Sequence, residues 1–150
     1  MTRAAVDTSV AVPYLMRSHR SHDEVRRELG RFELVLTGHS LVETYSVLTR
    51  LPGDSRLAPP DAVRLLESNF APVVHPATET RSTLVTHLAS CGVAGGAVYD
   101  ALVALAARDA GVGLVTRDRR AATTYAALGV SFTLLPAEGA GDAAIEKGSV

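Results

Sequence analysis

Short apolar runs bounded by turn residues alternate along this chain with longer stretches in which apolar groups recur every three or four positions. That alternation is the signature of βαβ units and a parallel sheet. The runs predict strands over 3–7, 34–37, 73–75, 113–116 and 131–135. The first and fourth are largely apolar without alternation, as strands covered on both faces should be. Helices are expected over 9–16, 22–29, 40–51, 61–70, 78–90, 98–110 and 120–128. Thr8 or Ser9 suits the N-cap of the first, and Gly129 suits the stop of the last. Over 98–110, Val98, Leu102, Leu105 and Ala106 form one stripe in an alanine-rich background. Two segments stay irregular: a connection over 52–60, read as a partner contact or a mobile stretch, and a Gly/Ala-rich tail over 137–150, read as flexible.

A chain of 150 residues with 47% apolar content is most simply one domain that buries about two thirds of its unfolded surface. No apolar stretch approaches the roughly 20 residues of a membrane helix, so no membrane association is expected. The first residues lack the apolar core of a secretion signal, and Cys91 is the only cysteine, which excludes an internal disulfide and a Cys-based zinc site. The expected location is the cytoplasm. A net charge of −1 gives no global pull on nucleic acid. Local arginines can still grip phosphates, and Lys147 is the only lysine.

Four acids carry the candidate chemistry. Asp7 ends the first strand, Glu43 interrupts the apolar stretch 40–48, Asp100 opens the helix before the fourth strand, and Asp118 follows that strand. Ligands of open parallel sheets bind beyond the carboxyl ends of the strands. The strands carrying Asp7 and Asp118 can be neighbours there, with Asp100 and Glu43 near the same edge. Clustered carboxylates repel, and one would take up a proton unless a cation neutralises them. An all-oxygen donor set suits Mg²⁺ or Mn²⁺ rather than zinc, and such a site can hydrolyse a phosphodiester. Each acid also has an ordinary reading: a turn or cap for Asp7, a solvated helix position for Glu43, a first-turn helix charge for Asp100, and a surface ion pair for Asp118. Thr116 could orient a water or a carboxylate, or simply fill a strand. Thr8 and Ser9 read as caps first and site residues second. Arg117, Arg119 and Arg120 are candidates for phosphate contact or an exposed basic turn. The five histidines are scattered, and Cys91 reads as a small buried apolar residue.

Segments 5–11 (Ala-Val-Asp-Thr-Ser-Val-Ala), 41–51 (Leu-Val-Glu-Thr-Tyr-Ser-Val-Leu-Thr-Arg-Leu), 99–104 (Tyr-Asp-Ala-Leu-Val-Ala) and 114–118 (Leu-Val-Thr-Arg-Asp) resemble the four acidic motifs of PIN-domain nucleases. The likeness is strongest to the VapC toxins of bacterial toxin–antitoxin modules and covers nearly the whole chain. It implies a Rossmann-like α/β/α PIN domain over 1–136. It also implies an endoribonuclease toxin, dependent on Mg²⁺ or, in vitro, Mn²⁺, that hydrolyses RNA and blocks translation. A homodimer and a VapB-type antitoxin whose C-terminal segment covers the active site are further implications. By position Asp7, Asp100 and Asp118 would be metal ligands, Glu43 would help activate the attacking water, and Thr116 would accompany the last acid. The stretch after Asp118 departs from the family in lacking an aromatic residue. The alternative is a catalytically inactive PIN-like module that binds RNA or protein. A receiver domain, a haloacid-dehalogenase-type phosphatase and a dinucleotide-binding module each need a residue or a glycine-rich turn that is missing after Asp7 or at the last strand.

Overall fold

Ala4, Val6, Leu34, Leu36 and Val115 turn to one side of a single sheet and Ala5, Val35 and Leu114 to the other, none more than 6% exposed. This explains the unbroken apolar runs, because both sides of each central strand are covered by helices. The molecule is seen in a computed structural model that describes residues 1–137 and the backbone of 146–148. Its strands are β1 (Arg3–Val6), β2 (Glu33–Thr37), β3 (Ala71–Val74), β4 (Gly113–Thr116), β5 (Phe132–Leu134) and β6 (Glu146–Gly148). They lie in the order β3-β2-β1-β4-β5-β6. The first five are parallel, and β6 adds an antiparallel edge beside β5. That edge lies within the stretch expected to be a tail; residues 138–145 and 149–150 are outside the described residues.

The helices are α1 (Thr8–Leu15), α2 (His22–Leu29), α3 (Gly38–Leu48), α4 (Pro59–Asn69), α5 (Thr78–Ser82), α6 (Leu84–Ser90), α7 (Ala97–Asp109) and α8 (Arg119–Ala127). Val10 and Leu15 of α1, Val25 and Leu29 of α2, Leu48 of α3 and Leu66 of α4 cover one side. Leu88 of α6, Ala101, Ala104 and Leu105 of α7, and Tyr125 of α8 cover the other. The result is a doubly wound α/β/α sandwich. No helix among the described residues is long and apolar enough to cross a membrane.

Several boundaries differ from expectation, each for a local reason. The first helix is capped by Asp7, not by Thr8 or Ser9, because the Asp7 side chain accepts the Ser9 N–H. The single helix expected over 78–90 is two, broken at Thr83, where φ is −115° and ψ 14°. The Thr83 hydroxyl donates to the Glu79 carbonyl at 3.2 Å, competing with the helical ladder. Helix α4 starts earlier, with Pro59 in its first turn, where a missing N–H costs nothing. The 52–60 connection is tied down: Leu57 N–H donates to the Leu48 carbonyl at 3.1 Å and Arg56 Nε to that of Leu51 at 2.9 Å.

Helix α3, which carries Glu43, is started by a reciprocal cap: Ser40 N–H donates to Thr37 Oγ1 at 3.1 Å and Thr37 N–H to Ser40 Oγ at 2.9 Å. Both residues are buried. Thr37→Ala should therefore destabilise the protein by about 1–2 kcal/mol, read as a lower denaturant midpoint at unchanged slope. An unchanged midpoint would show that the cap contributes nothing.

Candidate active site

The reversal of strand order falls between β1 and β4, where Val6 lies opposite Val115. From this point the chain leaves β1 into α1 on one side of the sheet and β4 into α8 on the other. A crevice opens at such a divide. Asp7 follows β1 directly and Asp118 follows β4 after Arg117, so they stand on the two lips of the crevice. Each is the N-cap of the helix it precedes: Asp118 Oδ1 accepts the N–H of Arg120 at 2.8 Å and of Ala121 at 3.4 Å.

Beneath the crevice is a buried polar network. Asp7 is 6% exposed. Its Oδ1 accepts from Ser9 N at 3.1 Å and Ser9 Oγ at 2.5 Å, and its Oδ2 accepts from the Tyr125 hydroxyl at 2.8 Å. Ser9 Oγ in turn accepts the Arg117 N–H at 2.8 Å and lies 3.4 Å from Thr116 Oγ1. Thr116 Oγ1 accepts the Asp118 N–H at 3.0 Å. Thr116 is fully buried, so this chain of hydroxyls sets the spacing of the two lips. Burial raises the Asp7 carboxyl above its ordinary range, and the nearby Asp118 adds to the rise. The hydroxyls of Ser9 and Tyr125 pull the other way. Thr8 takes no part in the network; its hydroxyl meets that of Thr44 at 3.3 Å and ties α1 to α3.

Asp100 lies in the first turn of α7, four positions into the helix rather than at its opening. It is half-buried and has no hydrogen-bond donor among the described residues. Its carboxyl is pushed up to about 6, first by burial and then by Asp118, Asp7 and Glu43 in that order. The other three acids thus lie near enough to Asp100 to oppose its charge. Glu43 sits in the second turn of α3 rather than the first, is exposed, and pairs with His39 at 3.1 Å. Of the four, only Asp7 is buried; Leu41, Tyr45 and Leu48 of α3 turn toward the core, while Glu43 and its neighbour Val42, 66% exposed, turn out.

The acids do not form a closed cage. Among the described residues no three Asp, Glu, His or Cys side chains are close enough together to hold one ion directly. The donor set nevertheless fits a hard, hydrated cation. Among the described residues both oxygens of Asp100 and Oδ2 of Asp118 have no hydrogen-bond donor, and the repulsion that adds to the effect of burial on Asp100 is a cost that a divalent ion removes.

The three arginines separate. Arg117 turns inward, with Nε on the Pro136 carbonyl at 3.3 Å and its guanidinium on Ser21 Oγ at 2.8 Å. It is a tie between segments rather than an open phosphate ligand. Arg119 and Arg120 are exposed, and Arg120 Nε lies 3.9 Å from Asp118. Sequence reasoning did not single out Tyr125, His39 or Tyr99. A tyrosine on the apolar side of a helix is a faint signal, since its hydroxyl needs a partner, but nothing local points 118 residues back to Asp7.

Comparison with known proteins agrees with this geometry. The sequence matches the PIN domain family over residues 4–127. It is 53% identical over 126 residues to Ribonuclease VapC27 of Mycobacterium tuberculosis, covering 84% of this chain and 92% of that one. It is 44% identical over 133 residues to Ribonuclease VapC40 of the same species, covering 87% and 98%. In fold it resembles FitAcB from Neisseria gonorrhoeae, with a TM-score of 0.59 and 15% identity over 86% of this chain and 95% of that one. It also resembles VapBC2 from Rickettsia felis, with a TM-score of 0.57 and 18% identity over 78% and 88%. The doubly wound sheet, the acids at its reversal point and these sequence identities together place the chain in the PIN-domain family, among the VapC ribonucleases of toxin–antitoxin systems.

Proposed function

We propose that this protein is a Mg²⁺-dependent endoribonuclease, with Mn²⁺ able to substitute in vitro, and that it arrests translation by cutting RNA in the cytoplasm. The observation that carries the reading is Asp100: a half-buried carboxylate with no hydrogen-bond donor among the described residues, its carboxyl pushed up to about 6 by burial and by the charges of three other acids. Asp100 and Asp118 are the direct ligands, through their unengaged oxygens. Asp7, whose oxygens already accept from Ser9 and Tyr125, acts directly or through a bound water. Glu43, exposed at the rim, orients the attacking water and accepts its proton. When bound, the ion polarises the scissile phosphate and offsets the charge of the acids. Arg119 and Arg120, both exposed, contact the RNA backbone; Thr116 and Ser9 position the acids from beneath, and Thr8 supports the site only through its tie to α3. The working state is a homodimer restrained by a VapB-type antitoxin.

Purified protein should cut structured RNA with MgCl₂ or MnCl₂ present and stop on addition of EDTA, and Asp7→Asn should be strongly impaired. Cleavage that survives EDTA, or that is undiminished in Asp7→Asn, would reject this mechanism.

A further inference from the structure

One surface feature beside the acids has no part in holding a cation. Tyr99, the residue before Asp100, is 57% exposed, an unusual setting for a large aromatic side chain. It is not loose. Its ring stacks on that of His39, with centroids 5.3 Å apart and planes 17° from parallel. His39 is held in turn by its contact with Glu43 at 3.1 Å. Two helices thus set a tyrosine ring upright at the rim of the carboxylate cluster, and the same histidine fixes Glu43 by its edge and Tyr99 by its face. A ring covered on one side offers its other face and its hydroxyl, which has no protein partner among the described residues.

Building on the ribonuclease reading, we infer that Tyr99, propped by His39, is the platform on which an unpaired nucleobase next to the scissile phosphate stacks. Binding at this site needs an uncharged contribution. The acids repel the RNA backbone, the net charge is −1, Arg117 is engaged within the protein and Arg120 lies 3.9 Å from Asp118, so the arginines offset that repulsion only in part. Stacking on an aromatic face supplies that contribution without regard to charge and tolerates different bases. It requires a base released from its helix. A base seated on Tyr99 would set the adjoining phosphate beside the acids, because His39 links that ring to Glu43, whose charge is felt by Asp100. Tyr99 is then a binding residue, and His39 a positioning residue for both Tyr99 and Glu43.

The test uses the full-length protein and an oligoribonucleotide that it cuts, carrying 2-aminopurine in turn at each nucleotide flanking the mapped cut. Tyr99→Ala should raise KM by about tenfold to a hundredfold with a much smaller change in kcat, and Tyr99→Phe should restore it. In an Asp100→Asn background, one flanking 2-aminopurine should be quenched on binding when residue 99 is Tyr or Phe and not when it is Ala. His39→Phe, which keeps a ring but loses the bond to Glu43, should lower kcat and leave KM near the parent value. An active wild type whose Tyr99→Ala variant has unchanged KM and unchanged quenching would overturn the platform and leave the ribonuclease reading standing. A wild type that cuts no RNA with Mg²⁺ would overturn both.

Discussion

Replacing Asp100 by asparagine is expected to slow RNA cleavage about a thousandfold and, in EDTA at neutral pH, to make the protein more stable. The first effect follows from losing the carboxylate least engaged by protein donors, since the ion it would hold supplies several kcal/mol of charge stabilisation in the transition state. The second follows from burial of the charge first and from repulsion by the other acids second. The folded protein holds the Asp100 proton up to about 6 against an ordinary value of 3.8. Between those values the folded state binds more protons than the unfolded one, so this group's contribution to stability falls as pH rises from about 4 to 6 and stays lost above. The melting temperature of Asp100→Asn in EDTA should therefore exceed that of wild type at pH 7.5, and the gap should close toward pH 4. Added Mg²⁺ should raise the melting temperature of wild type at pH 7.5 far more than that of the variant. In cells, wild type expressed alone should arrest growth and Asp100→Ala should relieve the arrest. A variant that cleaves normally, or that is less stable than wild type in EDTA at pH 7.5, would contradict this account of Asp100.

Tyr125→Phe is the second substitution with a large expected effect, although it removes one oxygen far from solvent. Tyr125 is fully buried, and its hydroxyl donates to Asp7 Oδ2 at 2.8 Å. Burial and the Asp7 charge hold that hydroxyl well above its ordinary range, so it remains a donor at any working pH. Phenylalanine keeps the ring but leaves a buried carboxylate oxygen without its donor, at a cost of about 1–3 kcal/mol. Asp7 would be driven further toward its protonated form and freed to turn. Cleavage should fall about tenfold to a hundredfold, in line with the loss of groups that orient metal ligands, and half-activation should need more Mg²⁺. Tyr125→Ala should cost about 3–5 kcal/mol because it adds a cavity. Equal stability and equal metal requirement in Tyr125→Phe and wild type would mean that the bond to Asp7 contributes nothing.

Much of this architecture was legible beforehand. Apolar runs such as Leu34-Val-Leu36 have to be covered on both sides, and parallel strands joined by amphipathic helices follow from that demand. The positions of Asp7 and Asp118 at strand ends were readable for the same reason, since a charge cannot continue a buried run. Errors arose where a local contact outweighed the period of the pattern. The Thr83 hydroxyl splits α5 from α6, and Asp7 rather than Thr8 or Ser9 caps α1. Glu43 is exposed although its stretch is apolar, because the side of α3 that faces the core carries Thr44 and Leu48, while Val42 beside it is exposed as well.

By itself the sequence determined the βαβ order, the two-sided core and the four acids on which the chemistry depends, because periodicity and the cost of burying charge are properties of the chain alone. Tertiary structure decided how those acids differ. Asp7 became a buried acceptor of bonds from Ser9 and Tyr125, Asp100 a carboxylate without donors among the described residues, and Glu43 an exposed partner of His39. For Asp7 the difference comes chiefly from Tyr125 and Thr116, residues that reach the site only when β1 and β4 pair and the helices leave on opposite sides of the sheet. Contacts between positions so far apart in the chain leave no periodic trace in it.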